Sequence, residues 1–327
     1  MNDPIENKIN SWVSQGDSKY LDINQKIIHL EEWLFSDYEP SIGPNSKFFK
    51  RLNDWLENLK DETDQKILLE MVTNIFYIGR EELNVLYREA YKTKFARWLI
   101  DDISINFNTE NILTRINEAV LDTWFCPLTD SLRINQFYHI NDIPAKNNLR
   151  PDWKSLAKFG DPQKINEYIK DQGIKRVVLL EDFIGNGGQV SMPVLFAAEN
   201  FRNLPILVIP LIICPKGVEN SMRLESNHPN VKIKPVITLT EDLFVHENIS
   251  DIQSDFLKKI NLLATSTYAQ VSDSTIIDDK VDPYGPFGWR RTGGLIVLHT
   301  NTPNNTLPLI HNKSKTWKPL FKRHKRI

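Results

Sequence analysis

The sequence predicts an α/β fold in which a mostly parallel sheet with flanking helices is preceded by an N-terminal α-helical region. Three observations carry this. Apolar residues recur at helical spacing through the first 120 residues. From about Asp122 short apolar runs alternate with amphipathic segments, the pattern of a β/α chain. One of those runs, ILVIPLII at 206–213, is apolar on both faces, as a central parallel strand should be.

The division expected is a helical region over 1–120 and an α/β domain over 121–327. Ile23, Ile27, Leu30 and Leu34 fall at i, i+4, i+7 and i+11. Phe48, Leu52, Trp55, Leu56 and Leu59 repeat the spacing, as do Leu68, Val72, Ile75 and Phe76. The longest stripe joins Leu83, Leu86, Tyr87, Ala90, Tyr91, Phe95, Trp98 and Leu99. Breaks fall at 39–44 and Gly79, and aromatic stripes at this spacing read as core. Beyond Asp122, strands are expected at 123–126, 177–180, 206–213, 231–239 and 295–299. Helices are expected at 163–172, 191–200, 217–227 and 251–264. Pro210 demands a local break or an unpaired position in its strand, and Pro235 interrupts the next one. Pro193 fits a helix only in its first turn, which places that helix start within 189–192.

The segment 176–189, RVVLLEDFIGNGGQ, bears most directly on function. An apolar run ends in Glu181 and Asp182; a small-residue loop of Gly185, Asn186, Gly187, Gly188 and Gln189 then leads into a helix. Carboxylates at a strand end can accept hydrogen bonds from the two ring hydroxyls of a ribose. Glycines let backbone N–H groups close around a phosphate, and a helix N-terminus adds partial positive charge. Strand C-terminal ends are also where open α/β sheets bind ligands. The alternative is a plain strand-to-helix turn with a solvated acidic pair. Val190 stands where a dinucleotide fingerprint needs glycine, and no lysine lies between Lys175 and Lys216 to complete a P-loop.

The acidic pair and small-residue loop resemble the ribose-phosphate loop of type I phosphoribosyltransferases. Further segments at 123–131 (TWFCPLTDS), 137–140 (FYHI), 150–153 (RPDW), 159–162 (FGDP), 301–309 (NTPNNTLPL) and 317–321 (WKPLF) join it. As a set, over about residues 120–321, they resemble the PRTase-CE family. These are phosphoribosyltransferase-like proteins associated with bacterial conflict and antiphage systems, including some retrons. The resemblance implies a type I phosphoribosyltransferase-like fold and chemistry at the anomeric carbon of a ribose phosphate or nucleotide, by transfer or N-glycosidic cleavage. It implies Glu181 and Asp182 as catalytic carboxylates and Gly185 to Gln189 as the 5′-phosphate loop. Thr129, Asp130 and Ser131 would hold diphosphate, with Mg²⁺ on Asp130; helix capping is the other reading of these three. The usual loop is rich in threonine and serine, whereas this one offers glycines, Asn186 and Gln189. A non-catalytic nucleotide sensor, or a scaffold in a nucleic-acid-containing defence complex, is therefore the alternative function.

Other candidates lie outside the loop. Arg290 and Arg291 suit diphosphate oxygens or form a solvated pair. Asn301, Asn304 and Asn305 around Pro303 make a tight turn whose amides can also serve as a hood over a base or phosphate. His139 reads as a packed residue rather than a general acid. The block Lys313, Lys315, Lys318, Lys322, Arg323, Lys325 and Arg326 suits nucleic acid or a reverse transcriptase in a defence complex, or is a solubilising end. With a net charge of −2, the whole molecule has no bulk attraction to nucleic acid or membrane. No apolar run approaches the ~18 residues of a membrane span, and the polar, acidic start is unlike a signal peptide. The cytoplasm is the expected location, with Cys126 and Cys214 reduced and homo-oligomerisation left open. No zinc-ligand spacing or Gly-x-Ser-x-Gly elbow occurs.

Overall fold

Among the described residues the chain forms seven strands: β1 (Phe76–Ile78), β2 (Thr123–Pro127), β3 (Arg176–Ile184), β4 (Ile206–Ile213), β5 (Val231–Ile233), β6 (Ile237–Thr238) and β7 (Ile296–Leu298). The computed structural model describes residues 4–41, 47–104, 111–144, 151–249, 253–272 and 284–324. Residues 42–44 of the first expected break, Arg150, Asp251, Lys325 and Arg326 lie outside the described residues. The chain divides into two units, Met1–Arg80 with Glu241–Ile327, and Glu81–Thr240.

The second unit holds the main sheet. Its order is β2-β3-β4-β5 with β6 also on β4, and every pairing is parallel. β4 is buried at every position and β3 at every position but Phe183, so their apolar runs are covered on both faces. The helices Pro162–Asp171, Gly188–Asn200 and Pro215–Asn227 connect successive strands. Asp152 and Asp161 start two helices by accepting the N–H groups of Ser155 and Gln163. One core joins Trp124, Trp153, Val177, Leu179, Val194 and Val208, with the two indoles 5.5 Å apart. Each such aliphatic side chain, fully buried, contributes roughly 1.5–3 kcal/mol.

The prolines fall where the sheet tolerates them. Between β5 and β6 the ladder on β4 lapses opposite Ile209 to Leu211, where Pro210 and Pro235 both lack a donor. Lys234 and Val236 still donate across the gap, to Val208 and Pro210, at 2.9 Å each. The single strand expected over 231–239 is thus two short ones. Pro193 is six residues into Gly188–Asn200 rather than in its first turn, because the helix begins as soon as Gly187 turns the chain.

The first unit is built from both ends of the chain. Helices Pro4–Ser14, Lys19–Trp33, Phe48–Leu56, Glu62–Val72 and Asp255–Ser272 surround the parallel pair β1–β7. Phe35 lies 5.2 Å from each of Phe48, Tyr77 and Phe321. The indoles of Trp55 and Trp317 both donate to the Leu309 carbonyl, at 2.8 and 2.9 Å.

This packing differs from a division after residue 120. Residues up to Arg80 group with the C-terminal segment because β1 pairs with β7, whereas the stripe from Leu83 to Leu99 belongs to the other unit. Ile75 and Phe76 are not on a helix: Glu62–Val72 ends first, and the Phe76 N–H donates to Leu295. The stripe itself is not one regular helix, since a π-helical turn at Ala90–Phe95 separates Arg80–Glu89 from Ala96–Ile103. No helix among the described residues is long and apolar enough to cross a membrane.

Candidate functional site

The 129–131 segment meets the acidic pair at the ends of two neighbouring strands. β2 pairs with β3 up to Pro127 opposite Leu180, and Leu128 extends the ladder by donating to the Leu180 carbonyl. Thr129 therefore lands beside Glu181. Its N–H donates to Glu181 Oε2 at 3.1 Å, and its hydroxyl lies 2.7 Å from Oε1. Ser131 Oγ is 2.7 Å from Thr129 Oγ1 and 2.8 Å from Asp182 Oδ1, which also accepts the Phe183 N–H at 2.8 Å. The sequence places the pair at the end of a strand ceasing at residue 180. It lies instead inside β3, which continues to Ile184, and Glu181 and Asp182 are only 3% and 9% exposed. Burying these groups is tolerable because Thr129 and Ser131 satisfy them.

The Thr129 hydroxyl donates to Glu181 Oε1, from which Ser131 Oγ also lies 3.3 Å, so the two hydroxyls between them engage both carboxylates. Burial, and after it the charge of Asp182, hold the Glu181 carboxyl well above its usual range, against the opposing bonds from Thr129 and Ser131. Burial thus favours the neutral form of Glu181. Tyr87, buried nearby, has its hydroxyl pushed up by burial and then by the Asp182 charge.

The loop after β3 is organised in the opposite sense. Gly187 takes φ +81° and caps Gly188–Asn200, a conformation only glycine adopts without strain. Asn186 Oδ1 accepts the Gly188 N–H at 3.1 Å, and its main-chain carbonyl accepts from Asn220 Nδ2 at 2.6 Å. The Gly187 carbonyl accepts from Val190, Ser191 and the Ser191 hydroxyl. The N–H groups of Asn186, Gly187 and Gln189 donate to no acceptor among the described residues. Asn186 Nδ2 is also enclosed without a partner. Unspent N–H groups around a left-handed residue at a helix start are the chemistry of an anion cradle.

Sequence reasoning missed two residues that hold this loop. A Cβ on Gly217 would stand 2.6 Å from the Gly185 carbonyl oxygen, so glycine lets Pro215–Asn227 approach it. Asn220 lies one turn further along and supplies the bond to Asn186. Only the spacing Gly217-x-x-Asn220 marks them in the sequence. Thr129, Asp130 and Ser131 do not cap a helix, for the next one, Ile134–Ile140, starts without a side-chain cap. His139 is exposed on that helix rather than packed, while Phe137 faces inward.

The remaining candidates belong to the first unit. Arg290 is exposed, and Arg291 lies over Gly285 with Nε 3.8 Å from Glu247. Asn301 donates to the His324 carbonyl and accepts from the His324 and Thr302 N–H groups. Asn305 is buried and donates to Thr292, and the Asn304 carbonyl accepts the Trp289 N–H. The amides of Asn301 and Asn305 thus tie the chain to itself. The basic block is not a loose end over its described part. Tyr38 donates to the Lys322 carbonyl, Arg51 to that of Leu320 and Arg323 to that of Thr302, and Phe321 is fully buried. Among the described residues, no three of His, Cys, Asp and Glu gather as a metal site.

Residues 52–323 match the PRTase-CE family. No curated protein and no solved structure matches the chain.

Proposed function

The chain belongs to the PRTase-CE family and carries a phosphoribosyltransferase-like domain. On that premise we propose that it binds a ribose phosphate or nucleotide and acts at the anomeric carbon, by transfer or N-glycosidic cleavage, in a cytoplasmic antiphage defence system. The observation that carries this reading is the set of unspent N–H groups at Asn186, Gly187 and Gln189, suited to a 5′-phosphate. The Asp182 carboxylate would stabilise positive charge as the glycosidic bond loosens. Glu181 would hold the proton that keeps a single charge on the pair. Asp130 is exposed and, among the described residues, belongs to no metal-binding group of three, so Mg²⁺ is expected with a diphosphate-bearing substrate. Lys313, Lys315 and Lys322 are exposed and are where nucleic acid or a reverse transcriptase would make contact.

The test incubates the full chain, with and without Mg²⁺, with phosphoribosyl diphosphate and a nucleotide panel, following products by mass. Asp182→Asn is expected to lower turnover by about 10²–10³ while leaving the fold intact. Unchanged turnover in that variant would remove Asp182 from the chemistry. A second reading, a non-catalytic sensor, is favoured by one observation: the Thr129 and Ser131 hydroxyls are already engaged by Glu181 and Asp182. Stoichiometric nucleotide binding with no product would establish it.

A further inference from the structure

A cleft of about 450 Å³ opens in the second unit between the turn carrying Lys94 and Arg97 and the broken edge formed by β5 and β6. Lys94 and Arg97 line one wall, and Lys234 joins Ile233, Pro235 and Val236 on the other. None of the three cations has an ion-pair partner among the described residues, whereas Lys175, Arg176 and Lys216 of the same unit pair with Asp122, Asp102 and Glu219. No acid lines the cleft; Glu89 accepts the Thr93 hydroxyl and Glu225 accepts the Ile233 N–H.

We infer that this cleft binds the phosphates of a nucleoside diphosphate or triphosphate, as a site separate from the loop after β3. Three like charges around one cavity repel one another, and a polyphosphate removes that repulsion. Ile233, Pro235 and Val236 offer the apolar surface that the face of a base requires, and the volume suits a molecule of nucleotide size. Both walls are held in place before any ligand arrives. Lys234 and Val236 spend their N–H groups on β4, at Val208 and Pro210. On the other side Phe95 is buried, its ring 4.8 Å from that of Phe125 on β2. Lys94 lies in the π-helical turn Ala90–Phe95, a backbone form that recurs at functional sites. Recognition here uses side-chain cations, whereas the loop after β3 offers uncharged donors, its backbone N–H groups and the Asn186 amide, so the two sites can be emptied independently.

The experiment titrates ADP into the full chain by calorimetry at low and high salt. The variants are Lys94→Ala with Arg97→Ala, Lys94→Arg with Arg97→Lys, Lys234→Ala and Gly187→Val, each checked for fold by circular dichroism. The wild type is expected to show a class of ADP sites that weakens with salt. The double alanine variant and Lys234→Ala should each lose at least tenfold in affinity for that class. The charge-preserving pair and Gly187→Val should keep it. Inorganic diphosphate should bind the same class more weakly than ADP, because it cannot use the apolar wall. Unchanged ADP affinity and stoichiometry in both alanine variants, or no ADP binding by the wild type, would overturn the site. Equal affinity for diphosphate would overturn the nucleotide assignment, and loss of this class in Gly187→Val would assign it to the loop.

Discussion

Two loops leave the same ends of neighbouring parallel strands, and the fold uses them in opposite ways. After β2, the residues richest in hydroxyls, Thr129 and Ser131, spend those hydroxyls on Glu181 and Asp182. After β3, a loop poor in side-chain donors keeps the N–H groups of Asn186, Gly187 and Gln189 unspent. Residue type suggested both as phosphate binders. Availability to a ligand is set instead by which polar groups the native structure has already satisfied.

The sharpest way to break this comparison is to empty the first loop of its partner. Glu181→Ala leaves the Thr129 N–H and hydroxyl buried without an acceptor and should cost about 3 kcal/mol. Glu181→Gln, which mimics the protonated acid, should cost under about 1 kcal/mol. Urea midpoints compare the two; equal losses would show that the acceptor Glu181 offers Thr129 does not stabilise the fold. The same residue gives a pH signature. Because its carboxyl is raised in the folded state, its contribution is full below the unfolded value near 4.5 and is lost as pH rises through the folded value. Wild-type stability should fall with a slope of up to ~1.4 kcal/mol per pH unit in that window, and Glu181→Gln should flatten it.

The second loop yields smaller effects on stability and a larger one on binding. Gly187→Val forces a β-branched residue to φ +81° and should cost about 2 kcal/mol while abolishing ribose-phosphate binding to the loop. Retained binding there would show that the cradle is not the site. Gly217→Ala should cost about 1 kcal/mol, the balance of a better helix former against a Cβ driven onto the Gly185 carbonyl. A stabilised Gly217→Ala protein would mean that the loop yields freely.

How much of this the sequence discloses depends on distance along the chain. β4 and the N-terminal part of β3 are legible because their apolar runs are local, and helices close to Pro162–Asp171 and Pro215–Asn227 follow from the alternation of apolar runs with amphipathic segments. The candidate loop and the left-handed Gly187 are legible for the same reason. The extension of β3 through two carboxylates is not, since it is licensed by Thr129, 52 residues upstream. Nor is the division into units, which rests on Phe76 lying opposite Ile296. The cleft at Lys94 and Lys234 joins a π-helical turn to an interrupted strand, and neither leaves a periodic signal.

The discontinuity of the first unit has a consequence for biosynthesis. Phe35, Phe48 and Tyr77 leave the ribosome well before Phe321, the ring that completes their cluster. At ~5–20 residues per second the delay is on the order of ten to fifty seconds. During that time Glu81–Thr240 can form its own parallel sheet, while the N-terminal helices hold apolar faces with no permanent cover. The nascent chain should therefore recruit a holdase to its first 80 residues, and release should follow emergence of the last strand, β7, and the Trp317 to Phe321 segment.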